Sequence, residues 1–190
     1  MIRPMLSLAL LLAPVAALAD PVDARAARDL LFSAAEVEVV TLDVASLSEQ
    51  DRQVLTLVAQ SQKYYAAVAF APGVGIMAEP TVMAANYHHI EAARTAALAG
   101  CNERRSGGAE CVIALEVRPV GWEERALQLS ADATADFEEN YRRVRGSRAF
   151  AVSTTSGQWG IGRGDDAESA ALTACQGDSD VADCAVVIRD

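Results

Sequence analysis

The chain is poor in the side chains on which most catalysis and metal binding rest. It carries one lysine, Lys63, and two histidines, His88 and His89, in 190 residues. No Cys-x-x-Cys pair occurs and no histidine stands close to a cysteine, so a zinc site at the usual spacing and redox catalysis by paired thiols both lack their motif. Basic residues are scarce, 16 against 26 acidic with a net charge of -10, which makes nucleic acid and anionic lipid poor partners and fits a solvated surface. Nor is there an apolar run of the roughly 20 residues that a spanning helix needs.

What stands at the start is shorter. Arg3 precedes an apolar stretch from Leu6 to Leu18, with Pro4 and Pro14 in that region and the small residues Ala17 and Ala19 before Asp20. This is the pattern of a signal peptide cleaved after Ala19, and no cysteine follows for lipid attachment. The predicted destination is the periplasm or the exterior, with no stable membrane insertion after cleavage. Removal of residues 1–19 takes away Arg3 alone among the charges and leaves 171 residues, enough for one domain or two small ones sharing a core.

The rest reads as one unit written twice. With Leu47-Ser48 placed over Leu129-Ser130, Leu55 falls on Phe137, Ala67 on Ala149 and Ala69 on Ala151 without a gap. Further on, Ala96-Ala97-Leu98 with Cys101 matches Ala170-Ala171-Leu172 with Cys175, and the stretch opened by Cys111 matches that opened by Cys184. Matching features in one order predict duplication. The segments are a leader (1–19), an N-terminal helix and strand (20–46), copy one (47–118), a bridge (119–128) and copy two (129–190).

Each copy is predicted to run α-β-β-α-β, an α+β fold. Ser48 and Ser130 are N-cap residues before apolar positions at helical spacing, Val54, Leu55 and Val58 or Phe137 and Tyr141. The strands Tyr64–Phe70 and Ala149–Thr154 follow, then turns at Pro72-Gly73 and Ser156-Gly157. Second arms are expected over Val74–Ala85, with Pro80 inside, and Trp159–Ile161. A second helix spans about His88–Asn102 or Asp165–Gln176, and final strands span Val112–Val117 and Ala185–Ile188. Leu98 and Leu172 are read as core. Ahead of copy one a helix from Pro21 to about Phe32 and a strand Val37–Leu42 are expected, with Arg125–Leu129 as that strand's counterpart.

Nine residues separate Cys101 from Cys111 and eight separate Cys175 from Cys184. Four cysteines allow three pairings, and the repeat favours the two local ones, each stapling a helix to the next strand. By the chain-entropy estimate each is worth about 2 to 3 kcal/mol.

The strand with Ala149 and Ala151, the Trp159-Gly160 step, the Ala170-Ala171-Leu172 helix ending in Cys175 and the strand opened by Cys184 resemble an uncharacterised family of small exported bacterial modules, a domain of unknown function. The likeness is close over 150–190 and loose over 65–117, and it implies no activity. The whole chain, with ANYHHIEAARTAAL and GWEERALQLSADAT, is similar to small exported proteins that carry the name 5-aminolevulinic acid synthase. The residues argue against that chemistry, which needs a large pyridoxal-phosphate fold and a Schiff-base lysine. Lys63 stands beside Tyr64 and Tyr65 where a strand begins, so no cofactor is expected.

His88, His89 and Glu91 form the one cluster of metal-capable side chains, His88 and Glu91 on one helix face. Two ligands make no metal site, and the aligned positions in copy two hold no histidine, so a surface helix start is the plainer reading. No serine or cysteine nucleophile in a recognisable motif accompanies them as a base would require. Ser153, Thr154, Thr155 and Ser156 could offer hydroxyls but read as a hairpin loop. Gly160, Gly162 and Gly164 match no phosphate-loop spacing. Trp159 reads as a hairpin anchor. Copy one diverges most over Met77–His89, with Met77, Glu79, Met83, Asn86 and Tyr87, and this irregular segment is where a ligand is expected, on Tyr87, His88, His89 and Glu91. The leading expectation is a non-catalytic exported protein that binds an unknown protein or small molecule. The alternatives are an enzyme of unrecognised class using His88, His89 and Glu91, and a structural protein of the envelope.

N-terminal sequencing of the processed protein is expected to begin at Asp20. A membrane-retained product that still begins at Met1 would overturn the export reading.

Overall fold

A computed structural model describes residues 20–179 and 181–190. The signal peptide expected over residues 1–19 lies outside them. The elements in order are α1 (Ala24–Leu30), β1 (Val37–Thr41), α2 (Glu49–Ala59), β2 (Ala66–Phe70), β3 (Val82–Ala84), α3 (Ile90–Arg104), β4 (Val112–Pro119), α4 (Ala131–Asp136), β5 (Arg148–Ser153), β6 (Trp159–Arg163), α5 (Ala167–Gln176) and β7 (Cys184–Arg189). The last turn of α4 runs on into a π-helical turn, Phe137–Tyr141. The class is α+β, and α2 to β4 and α4 to β7 run through the same order of helices and strands.

The strands make two antiparallel sheets, β1-β4-β2-β3 and β6-β5-β7. Without β1, the first has the order of the second. In each, the central strand shifts register against the last strand, between Val68 and Ala69 in β2 and between Phe150 and Ala151 in β5. Those positions coincide when Leu47 is placed over Leu129.

Local chemistry sets the helix starts. Ser48 caps α2 in a capping box with Asp51, and the Ser130 hydroxyl accepts from the Ala133 N–H at 3.2 Å. Only Leu55 and Ala59, four apart, point α2 into the core. Val54 and Val58, expected on that face, are 42% and 50% exposed, because they lie to its side. Leu98 and Leu172 are half-buried, and Ala97, Cys101, Ala171 and Cys175 hold the fully buried places instead. The second arm expected over Val74–Ala85 shrinks to β3, since Pro80 has no N–H for a ladder and Asn86, with φ of 64°, turns the chain away. Arg125–Leu129 forms no strand. Its expected place on the edge of β7 is taken by Val22, whose N–H donates to the Val187 carbonyl at 3.1 Å and whose carbonyl accepts from Arg189 at 2.9 Å.

Disulfides join Cys101 to Cys111 and Cys175 to Cys184, both with Cα atoms 6.1 Å apart, tying the ends of α3 and α5 to the strands that follow. Such bonds belong to oxidising compartments. Among the described residues no helix is long and apolar enough to cross a membrane.

The alternating glycines of β6 have a packing cause. A Cβ on Gly160 would lie 2.3 Å from the Cys175 nitrogen, and one on Gly162 would lie 1.8 Å from the Ala167 carbonyl oxygen. Helix α5 therefore rests with its backbone on β6, and its inner face is Ala167, Ala171 and Cys175 over Ala149 and Ala151 of β5. A larger side chain anywhere in that layer would lift the helix.

Gly162→Ala is accordingly expected to cost at least about 3 kcal/mol in urea unfolding, at the upper end for overpacking because the obstacle is backbone. An unchanged midpoint would show that α5 does not sit this close.

Candidate functional site

The segment that leads into α3 is where the two halves meet. Asn86, in the left-handed region, exchanges two hydrogen bonds with Asp132: its amide donates to the carboxylate at 3.1 Å and its carbonyl oxygen accepts the Asp132 N–H at 3.1 Å. The Asn86 carbonyl also lies so close to Gly157 that a Cβ there would come within 2.2 Å of it. Lys63, the chain's one lysine, pairs with the same Asp132 at 2.6 Å.

His88 is 2% exposed and spans the junction. Its Nδ1 accepts the Ser130 N–H at 3.1 Å, which fixes the proton on Nε2, and Nε2 donates to the Gln158 carbonyl at 2.9 Å. His89 works the same way one residue on. Its Nδ1 accepts the Ala92 N–H at 3.2 Å as the N-cap of α3, and its Nε2 donates to the Thr154 carbonyl at 2.9 Å. Both rings have both nitrogens occupied, so a metal ion or a transferred proton would have to displace a bond that joins the halves or, at His89 Nδ1, the cap of α3. Among the described residues no three His, Cys, Asp or Glu side chains cluster as a metal site. Burial is the main cause that lowers the His88 pKa to about 4, and neighbouring His89 adds to it; the bond to Gln158 opposes it.

The hydroxyls of Ser153 and Thr154 are also engaged. They donate to the two oxygens of Asp183 at 2.8 and 2.7 Å, and the Thr155 N–H adds a third bond at 2.8 Å. Burial pushes the Asp183 pKa up, but these bonds outweigh it and hold it at about 2. The loop is thus a built turn tied to the residue before Cys184. Trp159 anchors its hairpin by donating to Asp136 at 2.8 Å.

Beside this junction lies a cleft of about 420 Å³ lined by His88, His89 and Glu91, by Glu124 to Gln128 of the bridge, by Val152 to Thr154 and by Val187. A smaller, mainly apolar hollow of about 260 Å³ over Ala92, Ala96 and Ala99 of α3 shares His89, Glu91 and Thr154 with it. Three of the four side chains expected to contact a ligand are therefore together. Tyr87 is not among them: its backbone exchanges hydrogen bonds with Tyr65, and its ring packs against the buried cluster that includes Tyr64, Tyr65 and Phe70. The cleft also contains Arg125, which the sequence flagged only as strand. Its guanidinium lies 3.7 Å above the Phe32 ring, donates to the Leu30 carbonyl and pairs with Glu123. The nearby Tyr65 hydroxyl is fully buried with no hydrogen-bond partner among the described residues, and burial raises its pKa. No local motif marks Glu124, Arg125 or Gln128, because their place depends on how the bridge crosses the second sheet.

Compared with known proteins, the chain matches no family model, no curated protein and no solved structure.

The His88 environment sets an acid limit. The unfolded chain protonates this ring at its ordinary pKa of 6.5 and the folded chain only near 4, so stability is unaffected above about pH 7, falls between 6.5 and 4, and levels off below. A full shift corresponds to a loss on the order of 3 kcal/mol. Urea unfolding at pH 7 and pH 4.5 is expected to show this fall in the natural chain and to show much less of it in His88→Gln. Equal pH dependence in both chains would place the ring outside the junction.

Proposed function

We propose that the protein is a non-catalytic binding protein of the periplasm or the exterior, built from two divergent copies of one α-β-β-α-β module, and that it holds a small ligand in the cleft between them. The observation that carries this reading is the cleft itself, whose walls come from both halves and the bridge. Its size lies within the range of small-molecule sites, and its lining has their usual character. Leu127, Val152 and Val187 supply apolar surface, while Glu91, Glu124, Arg125 and Gln128 supply convergent polar groups.

The histidines support binding over catalysis, since both rings spend both nitrogens on main-chain groups, three of the four across the junction and the fourth in capping α3. A base must be free to take a proton at the reacting atom, and these are fixed by Ser130, Gln158, Ala92 and Thr154. The shared strand order and the matching bulges of β2 and β5 support the two-copy reading. The disulfides support an oxidising compartment.

A metabolite screen by thermal shift tests the site, because a ligand at 100 times its dissociation constant adds about 2.7 kcal/mol. Ala126 is exposed and lines the cleft, so Ala126→Trp is expected to fill it and abolish the stabilisation, whereas Met77→Ala, at an exposed loop position outside the cleft, leaves it intact. Stabilisation that survives Ala126→Trp would place the ligand elsewhere.

A further inference from the structure

Arginines are unevenly placed in this acidic chain. Arg142, Arg143, Arg145 and Arg148 fall together where the π-helical turn gives way to β5, and α1 adds Arg25 and Arg28, three apart on one face. In the register that places Leu47 over Leu129, the first half has Gln60, Ser61, Lys63 and Ala66 at the positions of the first four, so this concentration belongs to the second half alone.

The side chains of Arg25, Arg28, Arg142 and Arg148 surround a hollow of about 450 Å³, with Ala24 and Asp190 completing its wall. Asp190, the one acid in the lining, is already committed. It accepts from the Ala24 N–H at 3.2 Å, from the Tyr141 hydroxyl at 3.0 Å and from Arg148 Nε at 3.0 Å. Burial raises its pKa, but these bonds prevail and keep it below the ordinary carboxylate value. Arg148 is held in place by Asp190 through Nε, by the Tyr141 carbonyl at 3.2 Å and the Val144 carbonyl through Nη1, and by stacking 4.9 Å above the Tyr141 ring, which leaves its Nη2 as the group without a hydrogen bond among the described residues. Arg142 pairs with Glu138. Arg28 meets Asp29 only at 3.5 Å with both side chains more than half exposed, a pair that holds it weakly.

We propose that this hollow binds a phosphate group, carried either by a soluble phosphoester or by a phospholipid headgroup. Guanidinium donors arrive from α1 and from the end of the π-helical turn, and Nη2 of Arg148 adds one from β5, so they come from several directions. A tetrahedral oxyanion presents acceptors on several sides and suits that arrangement better than a planar carboxylate. The site lies at the N-terminal end of β5 and the cleft at its C-terminal end, roughly 17 Å away at the rise of a strand, so it is a second site that does not depend on the first.

Inorganic phosphate titrated into the folded protein at constant ionic strength is expected to shift the backbone amide resonances of residues 24–28 and 142–148 saturably. Arg25→Gln with Arg28→Gln is expected to weaken that binding by about tenfold. Arg104→Gln with Arg105→Gln, the same charge change at the end of α3, is expected to leave it within about twofold, since those charges are remote and screened. Flotation with phosphatidylglycerol and with phosphatidylcholine vesicles separates the sources. Binding to the anionic vesicles that is lost with Arg25→Gln and Arg28→Gln assigns a headgroup, and saturable phosphate binding without it assigns a soluble phosphoester. No binding in either arm, or equal loss in both double variants, overturns the proposal.

Discussion

The junction between the halves rests on main-chain hydrogen bonds that two imidazoles complete. Ser130 uses its hydroxyl to cap α4, and its own N–H goes to His88, so the start of the second half is built partly from the first. His88 and His89 then reach across to the carbonyls of Gln158 and Thr154. The Ser130 N–H and the Thr154 carbonyl have no second partner among the described residues, and leaving such a group unpaired costs more than the bond itself contributes, whereas the Gln158 carbonyl also accepts the Ser153 N–H at 3.0 Å. The bridge supplies one stretch of the cleft lining beside this seam, and the Asn86–Asp132 pair joins the halves outside that lining.

Within each half the controlling constraint is the thinness of the layer between the second helix and its sheet. Alanine and half-cystine on α3 and α5 meet alanine on β2 and β5, and in the second half the glycines of β6 let the helix backbone approach still closer. The disulfides sit at the end of that layer and fix how far each helix can slide along the strand that follows. The large aromatic side chains are reserved for the opposite face: Phe137, Tyr141 and Phe150 pack together with ring centroids 5.5 to 6.4 Å apart.

Charge divides the halves further. In the first, the fully buried carboxylate of Glu116 is held between Arg94 and Arg118, the latter stacked on Trp122. That triad satisfies a charge brought into the core; breaking one partner would leave it uncompensated. In the second half the arginines face outward around a hollow instead. The first half also carries five exposed apolar side chains, Val54, Leu57, Val58, Val74 and Met77, of a kind not found exposed in the second half among the described residues. The two halves share a frame and differ in what they show to solvent.

The order of elements and the local disulfides were legible because capping serines, helical and strand periodicities and cysteine spacing act over ten residues or fewer. Gly160 and Gly162 were visible as an alternation, but their reason was not, since the backbone they accommodate lies in α5. His88, His89 and Glu91 stood out by rarity, and they do come together at the cleft. Rarity could not say that the rings are connectors, because the partners of His88 lie 42 and 70 residues away. The same limit hid Arg125, Asp183 and the hollow shared by α1 and β5. By itself, then, the sequence determined the helices, strands and turns that short-range geometry dictates. Only the tertiary structure decided which imidazole nitrogen has a proton to give, which hydroxyls are already spent and where a cavity remains, because each depends on groups brought together across the chain by packing.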